Sequence, residues 1–210
     1  MTDPELEQAV HDPAPTQPLP MLVLFALTAL CGCRSTAPST YHVLQPPEAS
    51  ALTPGGDERA GLVSLSVLRF PGYLKRVQLV SERKPGTLEL SETHAWAEPL
   101  EEGFARVLAE DLAGRLGRPV ALAGALTRPP RTELAIELEV ARFDVRASGV
   151  AELAVTWMAA GGDGRTLAEP RRAQVTVPLE GNGAAASVAA LSAAVAQLAS
   201  RMAADLEGAR

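Results

Sequence analysis

A chain of 210 residues with 19 basic against 25 acidic side chains and a formal net charge of −6 carries no basic face or tail of the kind nucleic acid selects. Its two cysteines, Cys31 and Cys33, both precede the presumed folded body, which leaves that body without an internal disulfide, a thiolate metal site or a cysteine nucleophile. With aromatic residues at only 4%, the core has to be built from aliphatic side chains.

The chain opens on an acidic leader: residues 1–20 hold Asp3, Glu5, Glu7, Asp12 and five prolines, with no Lys or Arg. Met21–Leu30 is an uncharged apolar run of the length found in secretory signals, well short of the ~20 residues that cross a bilayer. It ends in Leu30-Cys31-Gly32-Cys33, which resembles the bacterial lipobox: a small residue stands before Cys33 and a leucine three positions before it. Cys31, with bulky Leu30 before it, does not fit.

The resemblance implies a leader over 1–32 that is cleaved after Gly32, a diacylglyceryl thioether on the Cys33 sulfur and a third acyl chain on the new amino terminus. Each buried methylene contributes about 0.8 kcal/mol and two chains suffice for stable anchoring, so three hold a protein on a membrane. Arg34 stands where Asp would signal inner-membrane retention, which leaves sorting to the outer membrane. The acidic leader departs from the basic start of a signal peptide, so either the start codon is misassigned or the signal is unusual. A buried apolar strand or helix with two incidental cysteines is the other reading of the run.

Removal of residues 1–32 leaves 178 residues, enough for one domain with its own core. Residues 33–60 read as a lipidated amino terminus and tether, rich in Ser, Thr, Pro and Gly, with one short strand at Tyr41-His42-Val43-Leu44. The domain proper is expected over 61–208. In Leu62–Leu68, Val63, Leu65 and Val67 alternate with Ser64 and Ser66, the pattern of a half-buried strand. Val77–Val80 and Thr87–Leu90 form a hairpin across Lys84-Pro85-Gly86.

A helix begins at Pro99, with Glu98, Glu101 and Glu102 at the positive end of its dipole. Leu100, Phe104, Val107, Leu108, Leu112 and Leu116 give it one apolar stripe, and Gly117 and Pro119 stop it. Leu134, Ile136, Leu138 and Val140 alternate with Glu137 and Glu139. The phase then shifts so that Phe143 and Val145 point inward, which places a bulge near Ala141-Arg142. A strand carrying Leu153, Val155 and Trp157, a turn at Gly161–Gly164 and a strand carrying Val175 and Val177 complete three antiparallel strands in succession. The last element, Ala184–Leu206, is a helix with Val188, Leu191, Val195, Leu198, Met202 and Leu206 on one face. Small alanine flanks suit packing on this chain's own sheet better than a coiled coil. The fold class expected is α+β, a two-layer, mostly antiparallel sheet with helices packed on one face.

Reaction machinery is not legible. His11, His42 and His94 make no zinc-ligand spacing, and Ser64, Ser66 and Ser91 lack a nucleophile-elbow setting. Gly161-Gly162-Asp163-Gly164 lacks the lysine of a phosphate loop, and Glu98, Glu101, Glu102, Glu110 and Asp111 read as a solvated, dipole-compensating face. No catalytic residue, metal ligand or cofactor is assigned beyond the covalent lipid on Cys33.

With these residues placed, Ser91-Glu92-Thr93-His94-Ala95-Trp96-Ala97-Glu98-Pro99-Leu100-Glu101-Glu102-Gly103-Phe104 resembles the signature of the ABC-type transport auxiliary lipoprotein family. Tyr41-His42-Val43-Leu44 and Pro71-Gly72-Tyr73-Leu74-Lys75-Arg76-Val77-Gln78-Leu79-Val80 resemble two further stretches of it. The resemblance implies a non-catalytic lipoprotein on the periplasmic face of the outer membrane of a Gram-negative bacterium. Its partners would be an MCE-domain protein and an ABC permease with its ATPase, which together move lipid between membranes. The chain would dock the far end of an MCE tunnel, with assembly into a symmetric homo-oligomeric ring adding avidity. Tyr73, Leu74, Arg76 and Trp96 are the candidate partner contacts, and a core or hairpin role for each stays open beside that. Three other classes also stay open: a lipoprotein that itself carries lipid in a cavity between sheet and helices, a structural envelope lipoprotein, and a periplasmic hydrolase.

Overall fold

Strand β6, Thr132–Val145, is the axis of the sheet, because it pairs with β7 from Leu134 to Val145 on one side and with β2 and the end of β3 on the other. The computed structural model describes residues 39–46, 61–125 and 131–208. Among these, the elements in chain order are β1 Thr40–His42, β2 Leu62–Arg69, a 3-10 turn Gly72–Leu74, β3 Gln78–Lys84, β4 Thr87–Trp96, α1 Leu100–Leu116, β5 Val120–Leu122, β6, β7 Val150–Gly161, β8 Thr166–Pro178 and α2 Ala184–Glu207. All lie in one compact unit, Pro38–Arg210.

The expected run of three antiparallel strands is β6–β7–β8, with Leu134 opposite Gly161 at one end and Val150 opposite Pro178 at the other. The expected bulge lies between Val140 and Arg142, and beyond it Phe143 and Val145 turn to the core. The other edge of β6 is shared. Its first half pairs in parallel with β2, from Leu62 opposite Thr132 to Arg69 opposite Glu139, and its end meets β3 at Ser81 opposite Val145. β5 continues the lower part beyond β2, and the β3–β4 hairpin with β1 continues the upper part. The result is a mixed sheet: the long ladders are antiparallel, while β1, β2 and β5 pair in parallel. Three-residue β5 has too little pattern for a period of two to register in the sequence.

One face of this sheet is covered. Val63, Leu65, Ile136, Leu138, Leu153, Val155 and Val175 project onto α1 and α2, where Phe104, Leu108, Leu112, Val195, Leu198 and Met202 meet them, all buried. Ala190, Ala194, Ala199 and Ala203 are buried on α2, as expected for a helix lying close on its support. α2 is long and apolar enough to cross a membrane by length and composition alone, yet its apolar face is occupied by the sheet and α1. Pro99 is the cap preceding α1, one residue earlier than the first helical position, and Gly117 ends the helix in the left-handed region at φ 62°. Phe70, Phe104 and Phe143 join the turn after β2, α1 and the post-bulge part of β6 by edge and tilted contacts of 5.2–6.3 Å.

Candidate functional site

The upper end of the sheet, where the β3–β4 hairpin, the β6–β7 turn and the start of α2 converge, holds most of the molecule's organised polar chemistry. Arg142 and Asp144 alternate at the end of β6, with Arg146 just beyond it, and Asp144 lies across from Glu152 of β7. Asp144 is buried, and its Oδ2 accepts from the Tyr73 hydroxyl at 2.5 Å and lies 3.3 Å from Arg142 Nη1. Burial first, then this hydrogen bond and the adjoining carboxylate, push the Tyr73 phenol well above its ordinary value, so it stays a proton donor. Burial opposes the charge on Arg142, but Asp144 beside it overcomes that and raises its pKa.

Glu82 of β3 is the second node. Its Oε1 accepts from the Gly86 amide at 3.1 Å and its Oε2 from the Ala147 amide at 3.3 Å, with Arg146 Nε also 3.3 Å away. The Gly86 hydrogen bond leads in holding the Glu82 carboxyl below its ordinary value, against desolvation and aided by Ala147, Arg146 and Arg142. Glu82 thereby ties the tip of one hairpin to the turn of another. Arg146 also reaches Glu152 at 3.2 Å, while its Nη1 is buried with no hydrogen-bond partner among the described residues.

On the helix-covered side of the same end lies a cleft of about 410 Å³, walled by Leu79, Trp96, Val145 and Leu191, with His94 and Arg146 at its polar side. The apolar walls are themselves buried. His94 Nδ1 and His42 Nε2 are 3.0 Å apart, a hydrogen bond linking the sole three-residue pairing of β1 to β4. Burial, followed by the neighbouring His94, lowers the pKa of His42. Beyond β1 the chain crosses to the helix side: Leu44 is buried, Arg106 Nη2 donates to its carbonyl at 3.2 Å, and the Gln45 amide donates to Ser192 Oγ at 3.2 Å. Arg106 is held by Glu98 at 2.5 Å, the leading cause of its raised pKa.

The leader over 1–32 with His11 and Cys31, the lipidation candidate Cys33, Arg34 and most of the tether lie outside the described residues. Leu74 and Trp96 are buried in the core, the role left open for them. Tyr73 serves Asp144. Arg76 is exposed, and its Nε donates to the Tyr73 carbonyl at 3.2 Å. Ser91 Oγ accepts from the His94 backbone amide at 3.0 Å, which pairs it with the main chain. Among the described residues no group of three or more His, Cys, Asp or Glu side chains could hold a metal ion. The sequence reading missed the Arg142–Asp144–Arg146 row and the His42–His94 pair. The first has a local signal, charged residues at period two on a strand whose other face is apolar, whereas the second joins residues 52 apart and has none.

Such an arrangement braces the upper end of the sheet, tying the β3–β4 hairpin, the turn before β3 and the β6–β7 turn together. Residues 42–203 match the family described as ABC-type transport auxiliary lipoprotein component, and the chain belongs to that family. Among solved structures, the chain is similar to an uncharacterized protein at 18% identity, covering 80% of this chain and 99% of that one with a TM-score of 0.66. It is also similar to protein XCC0632 from Xanthomonas campestris at 17% identity, covering 79% and 93% with a TM-score of 0.58. At these identities the likeness is one of fold. No curated protein sequence matches the chain.

Proposed function

We propose that this protein is an outer-membrane-anchored, periplasm-facing lipoprotein that serves a lipid-moving ABC system as a non-catalytic docking element. The observation that carries the reading is the family match over 42–203 directly downstream of a lipobox-like Leu30-Cys31-Gly32-Cys33. The ATPase of the partner complex supplies the energy, and an MCE-domain protein is the docking partner. The surface offered to it is the turn before β3, where Arg76 is exposed and Val77 presents an apolar side chain to solvent. Repetition of that surface in a homo-oligomeric ring multiplies a weak contact.

A lipid-carrying domain has less support, because Phe104, Leu108, Leu112 and Val195 between sheet and helices are fully buried against one another. The test is twofold. Mass spectrometry of the mature amino terminus is expected to show triacylated Cys33, and a photo-crosslinker at Arg76 is expected to capture an MCE-domain protein in intact envelopes. An unacylated mature chain, or a crosslink to no transport component, would overturn the reading. Replacing Arg76 by Glu should reduce that capture severalfold without shifting thermal unfolding, since an exposed charge contributes little to the fold.

A further inference from the structure

Among the described residues five large apolar side chains stand out into solvent: Tyr41 at 66% exposure, Leu68 at 56%, Val77 at 64%, Leu88 at 39% and Leu90 at 40%. Three of them share a face and an edge. Leu88 and Leu90 lie opposite Glu82 and Val80, and Ala95 lies opposite Gln78, so all of these β3 and β4 positions are in phase. Tyr41 lies opposite Ala95 in the parallel β1–β4 ladder and joins the same face. The cleft beside α2 is lined from both phases, by Val80 and Glu82 as well as Glu89, Ser91 and Trp96, and Tyr41, Leu88 and Leu90 stand outside it, each at least 39% exposed.

The edge is also unusually open. β1 covers β4 only from His94 to Trp96, so the outer edge of Thr87–Thr93 has no strand beside it among the described residues. An open edge that carries leucines is a binding surface or a liability.

From the geometry we infer that the Tyr41–Leu88–Leu90 face of this edge rests on the surface of the lipid bilayer. The inference depends on the proposed acylation of Cys33. Seven residue steps separate Cys33 from Thr40, a reach of at most about 24 Å when fully extended. β1 is the edge strand to which those residues lead, so the anchored part of the chain enters the domain at this edge and at no other. The edge residues therefore stay within one short reach of the headgroups. Tyrosine, with an apolar ring and a polar tip, suits that depth, and Leu88 and Leu90 add apolar area beside it. Exposed Arg83 and Lys84 at the hairpin tip are balanced by exposed Glu89 and Glu92 on β4, so the contact is apolar in origin and largely independent of lipid charge and salt.

The test uses the full chain, acylated in cells and reconstituted in phosphatidylethanolamine–phosphatidylglycerol vesicles, with Cys31 replaced by Ser. Single cysteines at Tyr41, Leu88 or Leu90 carry an environment-sensitive dye, and a dye at Glu169, on the opposite edge strand β8, is the reference. The first three dyes are expected to shift to shorter wavelength and to lose roughly half their emission to a headgroup-depth lipid quencher, while the reference loses little. Replacing phosphatidylglycerol by phosphatidylcholine should leave the three signals unchanged. If the three dyes behave like the reference while the protein sediments with the vesicles, the anchor stands and this inference is overturned. The same dye shift in detergent micelle-free buffer at high protein concentration would overturn it in favour of an interface between copies. A chain recovered unacylated in the supernatant would overturn the anchor and this inference together.

Discussion

The body of the domain and its upper edge are held by different forces. In the body, β2, β6 and β7 lay apolar rows against α1 and α2, with Ala168 and Val175 of β8 beside them, and stability scales with area removed from water. Among the described residues the edge formed by β3, β4 and β1 pairs with β6 through the single Ser81–Val145 bridge, supplemented by Leu79, Val80, Trp96 and Leu44 in the core. Its position is fixed by point contacts: Glu82 to two amides and Arg146, Tyr73 to Asp144, and His42 to His94. A surface held that way can present exposed apolar groups without being drawn into the core, as the proposed docking role requires.

The sharpest break of this contrast is a cavity in the body. Leu112 is fully buried between α1 and the rest of the core, and Leu112→Ala should cost about 4 kcal/mol, read as a drop in the denaturation midpoint with an unchanged slope. A loss below about 1 kcal/mol would mean the helix layer is loosely packed.

Next in size is Asp144→Ala, which removes the acceptor of Tyr73 and the partner of Arg142 and leaves that guanidinium half-buried beside Glu152. About 3 kcal/mol is expected. Tyr73→Phe, which deletes only the donated hydroxyl, should cost about 1–2 kcal/mol because it strands the buried Asp144 oxygen. Equal costs for the two would show that the hydroxyl, and not Arg142, carries the node.

Glu82→Gln separates the edge from the body more cleanly. The amide can still accept from Gly86 or Ala147, but the attraction of Arg146 is lost. Hydrogen exchange at Gly86 and Ala147 should speed up while Leu153 and Leu198 in the body keep their protection; parallel loss at all four sites would deny the division.

That division also explains what the sequence disclosed. The body was legible because its rules are periodic: Leu134–Val140 alternate, the phase slips at Arg142, and Val188 to Leu206 recur at helical spacing, so strands, bulge and helix follow from residue order. The motif around Trp96 carried the family. The parallel placement of β1 beside β4 and of β2 beside β6 was not legible, since pairing partners far apart in sequence leave no local mark. Of the candidate contacts, Leu74 and Trp96 are aromatic or aliphatic residues beside turns, which a sequence cannot distinguish from exposed anchors until burial is known. The Glu82 clamp, likewise, joins residues 65 apart.

The smallest effect concerns the histidine pair, and its sign follows from linkage. The pKa of His42 is lowered from 6.5 in the fold, so below about that pH the unfolded chain binds more protons than the folded one, and acid weakens whatever His42 holds. That loss begins as pH falls through 6.5 and is complete once the folded-state group is protonated. A protonated His42 has no ring nitrogen left to accept, so the 3.0 Å contact can persist only with His42 as donor and the side-chain tie of β1 to β4 is weakened. The Ala97 amide, which donates to the His42 carbonyl at 2.9 Å, reports the event. Its protection factor relative to Leu153 should fall as pH is lowered through this range, and His94→Phe should lower it at neutral pH and flatten the dependence. A protection factor that holds constant in acid would show that the backbone ladder from Thr40 to His42 retains β1 unaided, and that the edge is less dependent on its point contacts than the comparison with the body implies.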